Sequence, residues 1–130
     1  MSVRETYSVH ILVVEDSQVN QMVVKKLLEK LGCSCKVAQN GQEALDILET
    51  SEAFNLILMD CMMPIMGGLE ATEKIRASGQ HYAGIPVIAF TANTSESDKI
   101  ACKSAGMDDF LDKPVSLASL SEKLVLWTQD

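Results

Sequence analysis

The chain has 130 residues, room for one domain but not for two comfortable ones. Hydrophobic residues make up 47% and charged residues 22%, a balance that supports a packed core and excludes wholesale disorder. Eighteen acidic residues against 11 basic ones give a net charge of -7, which argues against direct nucleic-acid binding; no apolar run approaches the roughly 20 residues that cross a bilayer, so no membrane contact is expected of this domain.

Met1 to Ser8 is polar and aperiodic and reads as a tail or linker; residues 9–130 read as the domain. Met1-Ser2-Val3-Arg4-Glu5 lacks the apolar core of a secretory signal, which points to a cytoplasmic domain, with membrane anchoring left open for a longer parent protein. Val9-His10-Ile11-Leu12-Val13-Val14 is β-branched and nearly all apolar, the pattern of a strand buried on both faces, and it runs into Glu15-Asp16. Ser17 is placed to cap the helix that follows. Val19, Val23, Leu27 and Leu31, with Met22 beside them, predict its core-facing stripe, and Gly32 its end.

Cys33 to Ala38 alternates apolar and polar residues, as a half-buried edge strand does. Asn40, with Glu43 three residues on, marks the start of a second helix whose inner face is Ala44, Leu45 and Leu48. Asn55-Leu56-Ile57-Leu58-Met59-Asp60 is a short apolar run ending in an acid, with Pro64 and Gly67-Gly68 soon after; it predicts a strand that stops at Asp60. A third helix is expected to about Ala77, then a polar loop, then the strand Pro86 to Phe90 ending at Thr91. The fourth helix, about Ser95 to Ser104, has Ile100 as its only large aliphatic and is expected to be weakly anchored. Asp109-Phe110-Leu111-Asp112 predicts a fifth strand ending at Lys113-Pro114. Ser116 caps a last helix whose Leu117, Leu120, Leu124 and Trp127 share a face.

Strand and helix alternate five times, which implies a parallel sheet with helices on both faces. Cys33, Cys35, Cys61 and Cys102 lack metal-ligand spacing and read as small buried hydrophobes in a reducing compartment. His10 and His81 read as structural or surface residues.

Four strand ends carry a notable polar group: Glu15-Asp16, Asp60, Thr91 and Lys113. A parallel sheet gathers its carboxyl ends into one cleft. Packed carboxylates repel, so a bound cation is the natural compensation, and oxygen ligands favour Mg²⁺ or Mn²⁺ over zinc. A carboxylate at Asp60 is chemically able to attack phosphorus and form an aspartyl-phosphate, with Lys113 and the Thr91 hydroxyl suited to hold the transferred oxygens.

These residues resemble the response-regulator receiver domain of two-component signalling. The resemblance rests on Ile11-Leu12-Val13-Val14-Glu15-Asp16, Leu58-Met59-Asp60-Cys61-Met62-Met63-Pro64, Ala89-Phe90-Thr91-Ala92-Asn93 and Phe110-Leu111-Asp112-Lys113-Pro114, and covers roughly residues 9 to 127. It implies the flavodoxin-like doubly wound fold: an α/β domain with a five-stranded parallel sheet in the order 2-1-3-4-5 and five helices. It also implies Asp60 as the phosphoacceptor, catalysing its own phosphorylation and dephosphorylation with Thr91 and Lys113. The implied metal ligands are Glu15, Asp16, Asp60 and the backbone carbonyl of Met62. Thr91 and Phe110 are the implied switch pair, and the bond before Pro114 the implied cis peptide.

Met59 to Thr72 and Asp16-Ser17-Gln18-Val19-Asn20 most resemble receivers of hybrid sensor histidine kinases, which implies a histidine kinase or a histidine phosphotransfer protein as partner. A weak homodimer through the fourth and fifth helices stays open. Glu15 replaces the commoner Asp, and Gly67 stands where Asp or Asn is more usual. The rival readings are a receiver-like binding module that is never phosphorylated and an aspartate-dependent phosphatase. The latter wants a second acid where Met62 stands.

Overall fold

A computed structural model of the chain describes residues 9–50, 53–60, 67–91, 96–112 and 115–128. The element order is β1 (His10–Val14), α1 (Gln18–Lys30), β2 (Ser34–Ala38), α2 (Gly41–Leu48), β3 (Leu56–Asp60), α3 (Gly68–Ala77), β4 (Val87–Thr91), α4 (Glu96–Ala105), β5 (Asp109–Asp112) and α5 (Leu117–Thr128). The five strands form one parallel sheet in the order β2-β1-β3-β4-β5, the doubly wound flavodoxin-like arrangement. The expected tail, residues 1–8, lies outside the described residues.

Alternation along each strand splits the core in two. Leu12, Val14, Ile57, Met59, Val87 and Ala89 point to the side covered by α2, α3 and α4, where they meet Ala44, Leu48, Ala71, Ile75 and Cys102. Ile11, Val13, Leu56, Leu58, Ile88 and Phe90 point to the other side, against Val24 and Leu28 of α1 and Leu120 and Leu124 of α5. Each fully buried aliphatic side chain contributes roughly 1.5–3 kcal/mol. The middle strands β1 and β3 are buried along nearly their whole length, so their carboxyl ends stand on the most firmly packed part of the molecule.

The capping residues act as their types predict. The Ser17 hydroxyl accepts from the Asn20 N–H at 3.3 Å, and Asn40 Oδ1 accepts from the Glu43 N–H at 2.8 Å. The Glu43 carboxylate reaches back to the Gln39 N–H at 2.7 Å, and the Ser116 hydroxyl accepts from the Ser119 N–H at 3.1 Å. Gly32 closes α1 at φ +80°, a backbone region that only glycine enters freely.

The orientation of α1 differs from the expected one. Val19, Met22 and Val23 are exposed, Val19 to 72%, while Leu27 and Leu31 pack half-buried against the core whose fully buried α1 residues are Val24 and Leu28. A strict four-residue repeat advances about 400° per step on a helix of 3.6 residues per turn, so it drifts by about 40° each time and passes from the exposed side at Val19 to the core edge at Leu27 and Leu31. The α5 face is likewise narrower than expected: Leu120 and Leu124 are buried, Trp127 is half-buried and Leu117 is exposed. In α4 the expected aliphatic, Ile100, points to solvent, and the buried residues are the small Cys102 and Ala105.

Candidate functional site

The site forms where β1 and β3 end side by side. Val14 pairs with Met59, so Glu15 and Asp16, just past β1, adjoin Asp60, the last residue of β3. Glu15 and Asp60 are buried and Asp16 is exposed. One carboxylate oxygen from each of the three lies within 4.8 Å of the others. Like charges about 4 Å apart repel by about 1 kcal/mol in water and about 4 kcal/mol at an effective dielectric constant of 20. Such a group has a use for a cation.

The donor set fits a hard divalent ion. Ligand oxygens about 2.1 Å from Mg²⁺ stand about 3 Å apart when adjacent and about 4.2 Å when opposite. Oxygens within 4.8 Å of one another are therefore within about 2 Å of those spacings, a closure in the reach of side-chain torsions.

Local bonds hold Glu15 in place. Its N–H extends the β1–β2 ladder to the Ala38 carbonyl at 2.9 Å. Its Oε2 accepts from the Ser17 N–H at 3.1 Å, and its backbone carbonyl accepts from Gln21 Nε2 at 2.6 Å. Gln21 gives no signal in the sequence beyond being a polar residue in the first turn of a helix. The fold must be in hand before it can be seen to turn back toward β1.

The other expected site residues divide into two groups. The backbone brings Thr91 to the end of β4, one strand over from Asp60, with Asp60 paired to Phe90 and Thr91 to Asp112. Phe110 is half-buried on β5 opposite Ala89, packed against the core beneath α2, α3 and α4, with the Lys99 ammonium 5.9 Å from its ring centroid. Met62, Lys113 and Pro114 lie outside the described residues. His10 sits at the opposite end of the sheet, stacked on Phe54 at 4.7 Å, and His81 lies exposed in the α3–β4 loop. Cys33, Cys35 and Cys102 are in no disulfide, and burial raises the pKa values of the first two above the ordinary thiol value.

A sequence profile of the response regulator receiver domain matches residues 11–125. The chain belongs to the receiver domain family. This receiver is 38% identical over 120 residues to the sensor histidine kinase GacS of Pseudomonas protegens, a match that covers 91% of the chain but 13% of that kinase. It thus spans a small part of the curated relative.

Among solved structures, it resembles the receiver domain of sensor histidine kinase PA1611 from Pseudomonas aeruginosa, which holds a magnesium ion coordinated in its active-site cleft. The two share 38% identity at a TM-score of 0.86, over 95% of this chain and 100% of that one. The receiver domain of Saccharomyces cerevisiae Ssk1, crystallised with the histidine phosphotransfer protein Ypd1, shares 35% identity at a TM-score of 0.83, over 93% of this chain and 89% of that one. No helix among the described residues is long and apolar enough to cross a membrane.

Proposed function

We propose that this receiver accepts a phosphoryl group from a phosphohistidine onto Asp60, with Mg²⁺ held by Glu15, Asp16, Asp60 and the Met62 backbone carbonyl, and so relays or switches a signal in a His-Asp phosphorelay. The reading is carried by one observation: three carboxylates converge within 4.8 Å where β1 and β3 end. The magnesium of the PA1611 receiver supports Mg²⁺ as the ion, and Mn²⁺, also a hard octahedral cation, suits the same oxygens.

Bound Mg²⁺ supplies positive charge that offsets the acids and the phosphoryl oxygens. The rest is done by the chain. An Asp60 oxygen attacks phosphorus in line, the nitrogen–phosphorus bond of the donor breaks, and its electron pair leaves with the imidazole. Burial of Asp60 fixes the attacking oxygen. The Lys113 ammonium and the Thr91 hydroxyl hold the phosphoryl oxygens, and Phe110 turns inward as Thr91 moves toward them.

The partner of the reading is a histidine phosphotransfer protein or kinase, as the Ssk1–Ypd1 complex supports. The outward face of α1 offers it a contact. Val19, Met22 and Val23 are exposed within the first turns of the helix that begins beside Asp16.

Intact-protein mass after treatment with acetyl phosphate and Mg²⁺ tests the reading. The parent is expected to gain one phosphoryl group that chelation of the metal prevents, and Asp60→Asn to gain none. A folded parent without an adduct points instead to a binding module that is never phosphorylated. An adduct on both proteins means that Asp60 is the wrong acid.

A further inference from the structure

We propose that Gln21 is a positioning residue for the acidic pair and sets the metal affinity of the site. The inference rests on the reading of Glu15, Asp16 and Asp60 as metal ligands. Its starting point is the peptide group between Glu15 and Asp16. That group is planar and carries both Cα atoms, so whatever fixes its oxygen fixes how the two side chains leave the backbone relative to one another. The paired register of β1 ends at Val14, one residue before this plane. Gln21 Nε2 donates to its oxygen at 2.6 Å.

The donor is itself well held. Gln21 lies in the first turn of α1, and its own N–H bonds the Ser17 carbonyl at 2.9 Å. Its side chain is half-buried, so it leaves the helix from a fixed Cα and has limited room to swing. The Ser17 N–H meets the Glu15 carboxylate at 3.1 Å, and the Ser17 hydroxyl caps α1. Strand end, turn and helix start form one hydrogen-bonded unit with the two acids between them. Glu15 has one more rotatable bond than an aspartate, which makes a fixed backbone more valuable at this position. Groups that orient ligands from behind typically govern metal affinity by 10- to 100-fold.

The test uses the whole chain with Mn²⁺ alone, and no phosphodonor, following free Mn²⁺ by electron paramagnetic resonance. Gln21→Met keeps the length and removes the donor. Gln21→Glu keeps the shape and sets a carboxylate against the carbonyl, and decides the matter if the methionine variant does not fold. Val24→Ala, a buried change on the same helix, controls for lost stability. Roughly tenfold or greater weakening of Mn²⁺ binding is expected for both Gln21 variants, measured where circular dichroism shows each fully folded, with Val24→Ala at the parent value.

Gln21 variants that bind within twofold of the parent overturn the proposal, as does equal weakening by Val24→Ala. A folded parent that binds no Mn²⁺ overturns the ligand reading itself, and this proposal with it.

Discussion

The acidic residues at the two ends of the sheet are arranged differently. At the amino end, Asp108 and Asp109 each face a protein cation. Asp108 Oδ2 accepts from Arg76 NH2 at 2.8 Å and from the Val87 N–H at 2.9 Å, and Arg76 also donates to the carbonyls of Ala83, Ile85 and Gly106. Asp109 accepts from Lys123 Nζ at 2.9 Å, Trp127 Nε1 at 2.8 Å and its neighbour's N–H at 2.8 Å. At the carboxyl end, Glu15, Asp16 and Asp60 are gathered around one another. Acids that brace a structure come with their cation built in. On the proposed reading, the clustered acids are brought together at a cost in stability, and a divalent ion from solution would relieve it.

The sharpest way to test this contrast is to remove the cation at the amino end. Arg76→Met is expected to cost about 3 kcal/mol in urea unfolding, because it leaves Asp108 and three carbonyls short of a donor, while Mn²⁺ affinity stays at the parent value. A similar loss of metal affinity would mean that the two ends are not independent. Next in size is a change of opposite sign. With chelator present, Asp60→Asn is expected to raise unfolding stability by about 1 kcal/mol by relieving repulsion within the cluster. A variant less stable than the parent would break the comparison.

The smallest effect belongs to Asp109. Burial acts to raise its pKa, but the bonds from Trp127 and Lys123, the Phe110 N–H and the Lys123 charge outweigh it and hold the carboxyl below its ordinary value. The stability this brings is present above the unfolded carboxylate value of about 3.9 and is lost as the pH falls through the lower folded value. Asp109→Asn should therefore cost under about 1 kcal/mol at neutral pH, with the gap to the parent closing below about pH 4 in urea titrations.

The strands were legible because Ile11 to Val14 and Leu56 to Met59 are short apolar runs, and for the second of them Pro64 and Gly67-Gly68 soon after decide against a buried helix segment. The acids of the site were legible because each stands at the end of such a run. The face of α1 was legible only in its second half, where Leu27 and Leu31 pack against the core. Two valines and a methionine at near-helical spacing made a false stripe, and the true inward residues, Val24 and Leu28, differ from it by one position. Arg76 with Asp108 was beyond reach for another reason. The partners are 32 residues apart, on a helix and a loop whose approach only the assembled sheet defines. Gln21 falls in between: it is local in sequence, but its partner is a backbone oxygen, which no side-chain pattern reveals.

The bond from Trp127 to Asp109 has a practical consequence. Trp127 is the only tryptophan in the chain, and its indole N–H is tied to the strand that also carries Phe110. The emission of an indole shifts when its N–H exchanges a carboxylate for water. The seam between β5 and α5 therefore carries its own fluorophore, and a shift of one element past the other can be followed by emission wavelength, in real time and without a label.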